Sequence, residues 1–252
     1  MKRTVIRILR AAAVLLLVPA TGVVVDAGAA RAAGLTPKQI ADAQKVIGFA
    51  VSAYDLAELA GLVPSELERA TTRIINAVNA AKTELLNEID ELTAAEVDAC
   101  KDSALTDAEN LARMTPTQLD NFATRAVDCV NRAVNFINAL DSQRAVNQVS
   151  FAMNTVAPLA LIARARLGLG SDFLRANIRA GNEATMWRLA PNCVNWIDEE
   201  SGRPLYWNVV CTSFNGTTGS RTSVYPFTDY TPQIDAAMRN TSYELSKTLL
   251  TT

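Results

Sequence analysis

The chain has 252 residues, with 24 Lys and Arg against 26 Asp and Glu and no histidine. The missing histidine excludes a Ser-His-Asp or Cys-His nucleophile system, a His-bearing zinc site and a histidine pH switch. A slightly acidic chain with dispersed Arg lacks the basic face that nucleic acid requires, so no nucleic-acid partner is expected.

Residues 1–32 read as a secretory signal peptide. Lys2, Arg3, Arg7 and Arg10 precede a short apolar run from Ala11 to Pro19, and Ala30-Arg31-Ala32 fits an A-x-A cleavage site. The rival reading is a membrane anchor, but Pro19 and Gly22 break a run already shorter than the roughly 20 residues a span needs. Cleavage after Ala32 removes five basic residues and one acid, leaving 19 basic and 25 acidic side chains and a net charge of −6. A secreted, extracellular chain makes disulfides the default state of Cys100, Cys129, Cys193 and Cys211. The excess of Arg over Lys, 18 to 6, together with abundant Ala, suggests a high-GC bacterial source.

Helix starts are clearly marked. Thr36-Pro37-Lys38-Gln39 and Thr115-Pro116-Thr117-Gln118 each place a Thr N-cap before Pro and a Gln three residues on. Pro is tolerated there because its missing N–H has no helical partner, and the Gln side chain can close a capping box. Val63-Pro64-Ser65-Glu66 and Thr231-Pro232-Gln233 predict two more starts. Thr93 and Thr106 head further capping boxes, at either of which a helix over 64–113 can break. Leu67, Ile74, Val78, Ala81, Leu85, Ile89 and Leu92 follow helical steps, apart from Thr71 at one apolar position. After Pro116 the spacing of Leu119, Phe122, Ala126, Cys129, Ala133, Phe136 and Leu140 alternates three and four, the pattern of a coiled-coil-like seam.

Four cysteines allow three connectivities. Cys100 and Cys129 are equidistant from the break at Thr115-Pro116, each roughly 21 Å along its helix, so the spacing favours a bond across a helical hairpin. Phe151 to Ala163 has only Asn154 and Thr155 as polar side chains and is predicted to be an enclosed helix; membrane insertion after a conformational change is the rival reading. Pro158 predicts a kink, Gly168 and Gly170 an end, and residues 171–189 a further amphipathic helix.

From Pro191 the character changes. Val194–Ile197 and Leu205–Val210 predict a β-hairpin about Ser201-Gly202. Pairing positions that sum to 404 sets Cys193 opposite Cys211, Asn195 opposite Val209 and Ile197 opposite Trp207. One face then carries both cysteines with Ile197, Leu205, Trp207 and Val209, and is predicted to pack on the helices. Residues 215–229 are predicted as a loop with a short strand at 223–227, and 232–249 as one last helix.

The fold class predicted is mainly α. An antiparallel helical bundle with a long disulfide-stapled helical hairpin spans 33–190, and a disulfide-closed β-hairpin, loop and C-terminal helix packed on it span 191–252. No motif for a cofactor or metal is present: there is no phosphate loop, dinucleotide fingerprint, CxxC or G-x-S-x-G. Asp198-Glu199-Glu200 reads as a solvated hairpin tip, because adjacent strand residues face opposite ways. The aromatic residues Trp196, Tyr206, Tyr225 and Tyr230 read either as core of the small β element or as a binding surface. The function expected first is a secreted binding or assembly protein without catalysis, whose partner is an extracellular protein or glycan; oligomers fit it equally. A membrane-active protein of α-helical pore-forming type, by architecture alone, is the second reading. A carboxylate-dependent extracellular hydrolase is the third.

Overall fold

The structure, a computed structural model, describes residues 35–45, 48, 64–85, 95–200, 203–224 and 229–251. All of these belong to the unit Ala33–Thr252, one of two into which the chain divides; the signal-peptide reading falls on the other, Met1–Ala32, outside the described residues. The described chain is mostly helical, with two disulfides and a small antiparallel sheet near its C-terminal end. The helices are α1 (residues 37–45), α2 (Pro64–Leu85), α3 (Ala95–Ala108), α4 (Pro116–Ala139), α5 (Gln143–Arg166) and α6 (Asp172–Leu189). The strands β1 (Asn192–Glu200), β2 (Arg203–Thr212) and β3 (Thr218–Ser223) follow, then α7 (Thr231–Ala237) and α8 (Ser242–Thr251).

Both Thr-Pro-x-Gln starts form reciprocal caps. Gln39 N–H donates to Thr36 Oγ1 at 3.1 Å while Thr36 N–H donates to Gln39 Oε1, and Thr115 and Gln118 repeat the exchange at the head of α4. Each satisfies two N–H groups that the first turn would otherwise orphan. Of the expected helix over 64–113, the described residues form α2 and α3, and Thr93, one expected break, lies outside them. The Thr106 box is unused: α3 ends at Ala108 and a 3-10 turn, Leu111–Arg113, leads to Met114. Thr71, the polar residue on the apolar stripe of α2, is buried and donates its hydroxyl to the Leu67 carbonyl at 2.7 Å.

Cys100 and Cys129 are bonded, joining α3 to α4. Arg125–Asp107 at 2.9 Å and Arg132–Glu96 at 3.8 Å flank the disulfide, and these partners run in opposite order along the two helices, so the helices are antiparallel. The buried stripe of α4 is wider than the seam its spacing predicts. Ala123, Val130, Val134 and Ile137 are buried beside the seam residues, because α5 and α6 cover α4 as well as α3 does. Lys101 is fully buried with its Nζ 2.7 Å from Asp98 and 3.3 Å from Asp102. A buried ammonium is tolerated only with such carboxylates beside it.

Residues 151–163 lie inside the helices, as predicted, and α5 continues through Pro158 to Arg166. This central helix is not apolar all round. Asn147, Ser150 and Asn154 share one face at helical spacing. Ser150 accepts from Thr185 at 2.8 Å, Asn154 donates to Asn182 at 3.0 Å, and Asn147 accepts the Ser242 N–H at 2.7 Å. Slippage of α6 or α8 along α5 would orphan these buried polar groups, so they fix the register of all three helices. Gly181 allows a close approach of α6: a Cβ there would stand 2.6 Å from Met153 Sδ and 2.9 Å from Val134.

The predicted last helix over 232–249 is broken into α7 and α8. Asn240 takes a left-handed φ of 60° between them, Thr241 donates its hydroxyl to the Met238 carbonyl, and Ser242 docks on Asn147. Asn tolerates the left-handed region better than most residues, which makes it a natural helix-ending position.

Candidate binding surface

The sheet has strand order β1-β2-β3, antiparallel throughout. The predicted register holds: Cys193 faces Cys211 and is bonded to it, Asn195 faces Val209 and Ile197 faces Trp207. Beyond Asp198 the register slips, pairing Glu199 with Pro204 and Glu200 with Arg203. Leu205, predicted on the cysteine face, is thereby the extra residue of a β-bulge. The residues between Glu200 and Arg203 lie outside the described residues.

A third strand, β3, forms at Thr218–Ser223 within the expected loop; of the short strand expected at 223–227, residues 225–227 lie outside the described residues. Asn215 organises the turn ahead of it, its Oδ1 accepting from Ser213 Oγ and from Thr217 N–H. Gly216 supplies the positive φ of 82°. Sequence patterning missed β3 because its residues, Thr218-Gly219-Ser220-Arg221-Thr222-Ser223, carry no apolar alternation.

The cysteine face is covered by α7. Val209 and Cys211 are buried with Ala237, and Tyr230 and Ile234 pack against them. The approach depends on Gly219, where a Cβ would stand 2.1 Å from the Gln233 carbonyl oxygen and 2.9 Å from Ala236 Cβ. At seven residues, α7 is about 10 Å long and about 10 Å wide, enough for two strands but not three. So the predicted packing of the hairpin's inner face holds at Val209 and Cys211 of β2, with Gly219 of β3 buried beside them, while Trp207 is half-buried and Arg221 is exposed. On β1, Cys193 and Ile197 are exposed.

The predicted Thr231 cap is also displaced: Thr231 is already helical, and its N–H donates to Asp229 Oδ1 at 2.8 Å. The Thr231 side chain, followed by this backbone hydrogen bond, holds the Asp229 carboxyl below its ordinary range.

The opposite face is open. Its side chains by register are Val194, Trp196 and Asp198 from β1, Tyr206, Asn208 and Val210 from β2, and Ser220 and Thr222 from β3. Trp196 and Tyr206 are 44% and 45% exposed, and Val194 55%. Trp196 stands opposite Asn208 and Asp198 opposite Tyr206, so the rings occupy one diagonal of a four-residue square and the polar pair the other. Asn208 Nδ2 donates to Asp198 Oδ2 at 2.8 Å, and Asn208 Oδ1 accepts from Thr222 at 2.7 Å. Asn208, in this three-strand ladder, is only 8% exposed. Its amide is spent on fixing the strands; Asp198 retains a second carboxylate oxygen for a ligand.

Of the four aromatic candidates, Trp196 and Tyr206 are thus brought together. Tyr230 is not: it lies on the covered face, where its hydroxyl accepts from Asn195 Nδ2 at 3.0 Å, and it pins β1 to the start of α7. Tyr225 lies outside the described residues. Val194, Asp198, Asn208 and Thr222 were not anticipated as surface members, although the 404 register already assigned the first three to this face. Asp198-Glu199-Glu200 does not converge: Asp198 is drawn into the ladder, and the bulge falls between it and Glu199. Among the described residues, no group of three or more His, Cys, Asp or Glu is placed to hold a metal ion. No family model, no curated protein and no solved structure matches the chain.

Proposed function

We propose that this chain is an exported, non-catalytic protein that binds an extracellular glycan through the open face of its sheet, with the helices forming an antiparallel bundle that carries the sheet. The observation that supports this most is the square of Trp196, Tyr206, Asp198 and Asn208. Two exposed rings on one sheet face can stack on the C–H faces of a sugar, and the Asp198 carboxylate on the same face can accept its hydroxyls. Two disulfides are compatible with the oxidising compartment that export implies. The alternative membrane reading has less support. The helix α5 is long and apolar enough to cross a bilayer by composition, but 94% of its most apolar window is buried, as for a core helix.

The test is an array of neutral and acidic oligosaccharides probed with the oxidised protein and with a Trp196→Ala/Tyr206→Ala variant. Retention of at least one glycan by the wild type and its loss in the variant is expected. Equal retention by both, or none by the wild type, overturns the glycan reading. Capture of a purified cell-surface protein instead would transfer the same face to a protein partner.

A further inference from the structure

The sheet has a second unused feature, its β1 edge. Cys193 and Cys211 have a Cα separation of 4.0 Å, which marks a narrow, non-hydrogen-bonded pair of an antiparallel ladder. Since the two pair types alternate, Asn195 and Ile197 are also non-hydrogen-bonded towards β2. The backbone N–H and C=O groups of Cys193, Asn195 and Ile197 therefore point out of the sheet, and among the described residues no strand pairs with them. Edge strands are normally blunted by Lys, Pro, brevity or a bulge. The nine residues of β1 include neither Lys nor Pro, and the bulge comes only after Asp198.

We propose that β1 is a self-association edge: two copies of this chain pair their β1 strands antiparallel about a two-fold axis at Asn195, making one continuous six-stranded sheet. The sequence of β1 selects that register. With Asn195 opposite itself, Val194 faces Trp196 of the second copy and Ile197 faces its Cys193, so all three exposed large apolar residues of β1 gain apolar neighbours. Centring the axis on Trp196 sets Val194 against Asp198 instead. In the Asn195 register Glu199 and Glu200 overhang the paired stretch. They extend towards the end of the second β1 that follows Arg188, the only charged residue between Met186 and Ile197. Asp198 stands opposite Asn192. No like charges are opposed, which is the condition for an isologous contact. The edge is made of β1 backbone groups and stands without the glycan reading, although Val194 and Trp196, on the border of the open face, take part in both.

The test is residue-resolved amide exchange on the full oxidised chain without ligand, from about 1 µM to about 1 mM, alongside sedimentation equilibrium. Amides of Cys193, Asn195 and Ile197 are expected to slow with concentration, about tenfold when about nine-tenths of the chains are paired, while those of Val194 and Trp196 stay constant. Asn195→Pro removes one outward N–H and leaves the β2 ladder intact, and it is expected to be monomeric. Ile197→Lys, which keeps the backbone donor but places a charge at the contact, is expected to shift the equilibrium towards monomer and remains informative if the proline variant fails to fold. A chain that stays monomeric over this range, a dimer that both variants leave unchanged, or a dimer without added protection at those three amides overturns the proposal.

Discussion

In the helical body, Leu105, Val130, Ile137 and Leu159 have no exposure at all; in the sheet, Val194, Trp196, Ile197 and Tyr206 stand open to solvent. Each region is stapled by one disulfide, and the staples are similar in strength. Sequence separations of 29 and 18 correspond to about 3–4 and about 3 kcal/mol in the chain-entropy model. The difference is in what surrounds them. Cys129 is buried against α3, whereas Cys193 is exposed at a sheet edge. Holding large rings rigidly on stapled strands without burying them gives up stability that the body would have used, and it pre-organises a surface for contact.

Substitutions can break this contrast from the body outwards. Leu159→Ala, fully buried in the C-terminal half of α5, is expected to cost about 2–5 kcal/mol in urea unfolding through the lost burial and the cavity left behind. A cost under 1 kcal/mol would mean the body is loosely packed. Replacing Cys193 and Cys211 together by Ala should remove about 3 kcal/mol, with exchange protection lost first in β1 and β2 while α4 and α5 keep theirs. Uniform loss across both regions would show that sheet and body unfold as one. Gly219→Ala drives a Cβ into the Gln233 carbonyl, and overpacking of this kind costs about 1–3 kcal/mol. Its effect should appear in α7 and β3 and leave α3 unchanged.

A smaller effect is expected at high pH. Burial, followed by the nearby Asp235 carboxylate, raises the Tyr243 phenol above its ordinary value, with Lys247 opposing. A raised pKa contributes stability that is fully present below the unfolded value of about 10 and lost as pH rises through the folded one. Melting temperatures between about pH 9 and about pH 11 should therefore fall less for Tyr243→Phe than for the wild type. Parallel curves would remove Tyr243 from the alkaline transition.

The body was legible in sequence because its cues are local. Thr-Pro-x-Gln marks two starts, helical spacing marks the buried stripe of α4, and the symmetry of Cys100 and Cys129 about Thr115-Pro116 follows from a fold-back. The register of β1 on β2 was legible for the same reason. What escaped depends on packing. The strand β3 has no apolar period because α7 closes on its Gly219 backbone, and the break at Asn240 is set by Ser242 docking on Asn147, 95 residues away. The site divides similarly: the shared face of Trp196 and Tyr206 follows from alternation, while the hydrogen-bonded ladder through Asn208 depends on Thr222 of the unanticipated strand.

The central claim is that Trp196 and Tyr206 serve contact rather than core packing, and the unfolding free energy of Trp196→Ala/Tyr206→Ala tests it most directly. Surface substitutions fall within about 0.5 kcal/mol each, so a change of at most about 1 kcal/mol in urea unfolding is the expected result. A loss of about 3 kcal/mol or more, the range of buried aromatic truncations, would contradict it and return both rings to the core.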